Sequence, residues 1–184
     1  TDSDIVLDAE SRARIIAAMV GVAGSGGAAG SANVTGNVIS NTIEAVISDA
    51  PGSGTAPVLA AGGDVTLTAR DGSTIDALSV GVAGAGGASG GAALAGNVIA
   101  NRMKTGIIGS RIGSGDDVTL DAESSAVIRS LVVGVAASGG AAGQFSAMGN
   151  VITNTVAAEI SGGSTVIAAG DVRLQASDIA PDSM

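Results

Sequence analysis

Residues 64–101 read DVTLTARDGSTIDALSVGVAGAGGASGGAALAGNVIAN, and the same frame returns at 4–41 and at 117–154. At full length, blocks 4–47, 64–107 and 117–160 align over 44 positions without a gap. The first and second blocks share 21 identities, and so do the second and third. A partial fourth block opens at Asp171. The block starts are 60, 53 and 54 residues apart, so all length variation falls in connectors 48–63, 108–116 and 161–170. Variation confined to connectors predicts loops between fixed structural units in a single array.

The shared positions describe the unit. Asp4, Asp64, Asp117 and Asp171 each open an Asp-x-x-Leu-x-Ala pattern. Val-Gly-Val-Ala follows at 20–23, 80–83 and 133–136, and Gly-Gly-Ala at 26–28, 86–88 and 139–141. Each block then carries Gly-Asn-Val-Ile-x-Asn, at 36–41, 96–101 and 149–154. Thr66 and Thr68 alternate with Val65, Leu67 and Ala69, which is the period of a strand. Glycine is spread through the blocks, where each would weaken a helix by about 1 kcal/mol relative to alanine. Val and Ile far outnumber Leu, and Gly-containing turns stand before the strands at 60–63, 113–116 and 168–170. The chain therefore reads as all-β.

Repeated strands with Gly turns and no intervening helical pattern predict a β-solenoid, in which coils stack and share parallel hydrogen bonds. Strand-like patches fall at three places per block, VTLTA, IDALSVGV and GNVIAN. Three patches predict about three coils of about 18 residues per repeat; one wide coil per repeat is the alternative. The two differ in a checkable distance. One coil per repeat stacks Asn37, Asn97 and Asn150 about 4.8 Å apart in a ladder, and three coils separate them by about three times that.

Residues 15–43, 77–101 and 130–158 contain no charge. Small apolar residues occupy both alternating faces there, as in strands buried on both sides. The first expectation is a thin, tightly packed interior; the sharper one is an Ala/Gly face that pairs with another copy. These stretches are long enough for a membrane helix, but their Gly and Asn content argues against one, and no membrane insertion is expected.

Composition excludes several function classes. The chain has no Cys, His, Trp or Tyr, and Phe145 is its one aromatic residue. Thiol and imidazole chemistry, disulfides and zinc sites are excluded. Net charge is −9, the wrong sign for nucleic acid. GAGGASG at 84–90 lacks the spacing and following helix of a dinucleotide loop. GSGDDVTL at 113–120 occurs once, whereas calcium-binding nonapeptides work in tandem. Asp8/Glu10 and Asp121/Glu123 each lie on one side of a strand, the arrangement a β-helix hydrolase or lyase could use, but no aromatic residue is placed to hold a sugar. No catalytic, cofactor or metal residue is predicted. The candidates are structural: Asn37, Asn97, Asn150, Asn41, Asn101 and Asn154 as ladder or turn residues, and Gly26, Gly86 and Gly139 as positions where stacking requires small size.

GDVTLTA, an Ile-containing strand and VGVAGAGGASGGAALAGNVIAN together resemble repeats of leukotoxin-type filamentous adhesins, very large secreted bacterial proteins, and more loosely filamentous haemagglutinin. The likeness spans residues 4–174. It implies an extracellular β-helical shaft whose secretion and anchoring signals lie elsewhere in a longer chain, and it brings no catalytic or ligand residues. The sequence starts beside a strand and stops inside the fourth block, with no cap at either end. Either this is a segment of a longer array or copies stack end to end, pairing edges 4–9 and 171–176. The expectation is a right-handed parallel β-solenoid of 53–60-residue repeats. Its function is mechanical and non-enzymatic, in an adhesin or surface-fibre shaft, with no cofactor. Its partners are further copies or flanking repeats, with any host receptor unknown.

Overall fold

In a computed structural model of the chain, residues 3–48 and 59–179 are described; most of connector 48–63 lies outside them. The first circuit consists of β1 (Ile5–Ser11), β2 (Arg14–Ser25), β3 (Ala28–Ile39), β4 (Thr42–Ser48) and β5 (Leu59–Ala61). The second repeats the order as β6 (Val65–Asp71), β7 (Thr74–Ala85), β8 (Ala88–Ile99), β9 (Arg102–Ile108) and β10 (Arg111–Ser114). The third is β11 (Val118–Ser124), β12 (Val127–Ser138), β13 (Ala141–Ile152), β14 (Thr155–Ser161) and β15 (Thr165–Ala168); β16 (Val172–Asp178) opens a fourth. The described residues contain no helix.

Every strand pairs in parallel with its equivalent in the next circuit, giving the sheets β1-β6-β11-β16, β2-β7-β12, β3-β8-β13, β4-β9-β14 and β5-β10-β15. This all-β order of stacked parallel sheets is compatible with a β-solenoid. The register is fixed residue by residue: Ile5 pairs with Val65, Val65 with Val118 and Val118 with Val172. Each repeat is thus one wide circuit, which corrects the expectation of about three coils. The three strand-like patches lie on separate walls of one circuit, VTLTA in β6, IDALSVGV in β7 and GNVIAN running from β8 into the corner before β9.

The circuit has two parts. The short strands enclose an apolar body in which Val65, Leu67, Ile107, Ile112, Val118 and Leu120 are fully buried. Two smaller clusters continue it, Ala69 and Ala122 with Met103, and Ile75 with Ile99 and Ile128. The twelve-residue strands β2 and β3, with their equivalents, leave this body as a two-layered arm that turns at Gly26–Gly27. Inside the arm the facing residues are small: a Cβ added to Gly81 would lie 3.6 Å from the Ala93 Cβ. Glycine there lets the two layers approach more closely than the ~10 Å usual for stacked sheets.

The register gives a direct check. Thr66 and Thr119 are partners on adjacent strands. With one circuit per repeat their Cα atoms are about 4.8 Å apart, within the disulfide range; three coils would place them about 14 Å apart. The Thr66→Cys/Thr119→Cys variant is therefore expected to form an intramolecular disulfide on mild oxidation, read by mass spectrometry under non-reducing conditions. A persistently reduced pair in folded protein would reject the register.

Candidate functional site

Stacking identical repeats at one strand spacing places each side chain next to its own copies. The Asn residues use this. In the arm, Asn37 Nδ2 donates to Asn97 Oδ1 and Asn97 Nδ2 to Asn150 Oδ1, each at 2.8 Å. The third amide ends on Ser130 Oγ at 2.9 Å. A buried amide needs partners for both its N–H and its carbonyl, and a copy on either side supplies both. Asn33 Nδ2 donates to the Val80 carbonyl across the arm at 2.8 Å.

The second Asn of each motif sits at the corner after β3, β8 or β13. Asn101 Oδ1 accepts the Asn41 N–H at 2.8 Å, and Asn154 Oδ1 accepts the Asn101 N–H at 3.1 Å. Their amides also cross the circuit: Asn101 Nδ2 donates to Asp71 Oδ2 at 2.7 Å, Asn41 Nδ2 to Ser11 Oγ at 3.1 Å and Asn154 Nδ2 to Ser124 Oγ at 2.8 Å. These bonds join the two corners from which the arm departs, pinning its base.

The Asp that opens each block has a similar task. Asp4 Oδ1 accepts the Asp64 N–H at 2.9 Å, Asp64 Oδ1 that of Asp117 at 3.0 Å and Asp117 Oδ1 that of Asp171 at 2.7 Å. Carboxylate oxygens of Asp64, Asp116 and Asp117 lie within 4.8 Å of one another. Asp64 and Asp117 are already engaged by backbone N–H groups, so the cluster has a structural account without a cation.

Sequence identities did not disclose the charged ladders. Glu10, Arg70 and Glu123 stack in register, and Glu44 stands opposite Lys104, which also reaches Glu159 diagonally, two positions along the next strand from its register partner Ala157. Asp76 lies beside Arg129 in register and also binds Arg14, at 2.7 Å to each. Hydrogen bonds from Arg129, then Arg14, hold the Asp76 carboxyl below its ordinary value, and the same contact raises Arg129. Lys104, 2.8 Å from Glu159, lowers that carboxyl. The signal lay in aligned positions where the repeats differ in sign. The pair Asp121/Glu123 is placed on the outside of β11, with Asp121 2.9 Å and Glu123 3.8 Å from Arg70.

Gly26, Gly86 and Gly139 occupy the arm's tip. The Gly86 N–H donates to the Ser25 carbonyl at 3.1 Å and the Gly139 N–H to that of Ala85 at 3.2 Å. A Cβ on Gly139 would lie 2.6 Å from the Gly86 carbonyl oxygen, and one on Gly86 would meet the Gly26 carbonyl. A Cβ on Gly26, in the first circuit, meets nothing within 4 Å.

Comparison with family models, with curated proteins and with solved structures gives no match. The ladders therefore stand on their geometry alone.

Gly139→Ala is expected to destabilise the fold by about 1–3 kcal/mol through overpacking, whereas Gly26→Ala leaves it unchanged within error; urea denaturation monitored by circular dichroism compares the two. For Asn97→Ala, which strands the buried amide of Asn37, the same measurement should show a loss of about 1–3 kcal/mol. Equal stability of wild type and Asn97→Ala would mean that the amide ladder does not hold the arm.

Proposed function

We propose that this chain is a repeat segment of an extracellular bacterial adhesin or surface-fibre shaft, wound as a right-handed parallel β-solenoid and without enzymatic activity. The observation that carries this reading is the register. Every circuit offers the next one the same backbone and side-chain ladder, so added repeats extend the stack without changing it. Right-handedness follows the preference of crossover connections between parallel strands. The resemblance to leukotoxin-type filamentous adhesin repeats supplies the extracellular setting. The ladder side chains are absorbed in holding circuits together, which suits a mechanical role.

A second reading is a filament subunit that stacks end to end. It is favoured by the sheet β1-β6-β11-β16, whose outer strands Ile5–Ser11 and Val172–Asp178 are versions of one motif. The edge of one copy could then continue the stack of another.

One circuit per repeat sets the scale of the test. Each repeat of 53 or 54 residues adds one strand spacing, about 4.8 Å of axial length. Small-angle X-ray scattering on tandem arrays of increasing repeat number should show axial length growing by about that increment at constant cross-section. A cross-section that grows with repeat number would reject the shaft. Electron microscopy of the isolated chain separates the readings: discrete particles favour the shaft segment, and long fibres favour the end-to-end filament.

A further inference from the structure

The arm carries its bulky apolar side chains on its outer faces, while small apolar residues such as Ala83, Ala93 and Ala95 share its interior with polar ones. Strand alternation normally turns apolar residues inward and polar ones to water. Here Asn33, Asn97, Ser79 and Ser89 are buried between the layers. On the outer face of β2, Ile16, Val20 and Val22 are 69%, 66% and 74% exposed; on β12, Leu131 and Val135 are 57% and 50% exposed. The opposite face exposes Val34, Val38, Phe145 and Val151. The phase is the same in all three circuits.

We propose that the arm is an interface, which docks face to face on the arm of a second copy of this chain through the β2-β7-β12 sheet. Three observations select that occupant. The first is area. Positions 16–24 and their partners on β7 and β12 cover about 30 Å by about 14 Å, roughly 420 Å², the size at which an exposed apolar patch is often functional. One such face on each partner is about half the 800 Å² per partner of a standard specific interface, which is the scale of a weak pair. One face supports a reversible pair, and further circuits strengthen it. The second is shape. In-register Val20, Val80 and Val133, beside Val22, Val82 and Val135, form two parallel ridges whose members stand one strand spacing apart. An identical face offers matching grooves, as in dry sheet-to-sheet packing. The third is chemistry against lipid. Strands that meet a bilayer carry aromatic girdles at its interfaces, and this chain has Phe145 alone, with net charge −9. A two-fold pairing presents the same patch from both copies and closes on itself.

This pairing is lateral, across the stacking axis, and does not depend on the shaft reading. Sedimentation velocity on the full chain over a wide concentration range tests it, beside the Val22→Lys/Val135→Lys variant. Both substitutions fall on exposed positions two strands apart. The wild type is expected to show a concentration-dependent dimer and the variant a loss of it, with unchanged circular dichroism. Val20→Lys alone, also exposed, should shift the equilibrium in the same direction if the double variant folds poorly. A wild type that stays monomeric at every concentration overturns lateral pairing and leaves the shaft reading in place. Assembly that persists in the folded variant overturns it in favour of end-to-end stacking. Flotation of the wild type with neutral phosphatidylcholine vesicles, lost in the variant, together with no dimer, overturns it in favour of lipid.

Discussion

Parallel pairing of each repeat with its own copy, one strand spacing away, is the constraint to which the other features answer. A residue in such a stack must tolerate itself above and below. Amides do so because each donates to one copy and accepts from the other, and the Asn37, Asn97 and Asn150 ladder follows. The Asp4, Asp64, Asp117 and Asp171 stack is tolerated because its carboxylates accept backbone N–H groups from the next circuit. Where charges stack on the outer surface, the sign alternates along the axis, as in Glu10, Arg70 and Glu123. Like charges directly opposite are destabilising and opposite ones favourable, so divergence between repeats at these positions stabilises the same pairing that identity supports elsewhere.

The division of the circuit into body and arm has a similar origin. Leu67, Leu120, Ile107 and Ile112 are large enough to fill the space enclosed by short strands. Beyond them the facing residues shrink to Gly, Ala and Ser, and the two layers close on each other. The corner amides of Asn41, Asn101 and Asn154 mark the boundary, tying together the points where the arm leaves the body. Six recurrent Asn residues thus serve two different tasks, axial bonding within the arm and cross-circuit bonding at its base.

The strand character was legible because β-branched alternation and Gly turns are local signals. The Asn and Gly candidates could be named because they recur at fixed offsets, but recurrence did not separate Gly86 and Gly139, where a Cβ would meet backbone, from Gly26, where it meets nothing within 4 Å. The number of circuits per repeat was not, since three strand-like patches look alike whether they lie on one turn or on three; only the pairing of Asn37 with Asn97 separates the two. The direction of the arm's faces was hidden for another reason. In VGVA both alternating sets are apolar, so periodicity carries no sign, and the presence of Gly21 inside and Val22 outside depends on which face meets the other layer. The alternating charges were present in the alignment, but as differences, where attention to identity passes over them.

Spending more than fifty residues on a single strand spacing makes the chain a poor way to gain reach. What it gains is breadth: material placed far from the axis on a pinned arm. Resistance to bending rises steeply with the distance of material from the neutral axis, and a flat blade resists in its own plane far more than across it. A stack of these circuits would therefore be anisotropic, stiff in the plane of the arm and compliant perpendicular to it, so that a long array would flex as a ribbon.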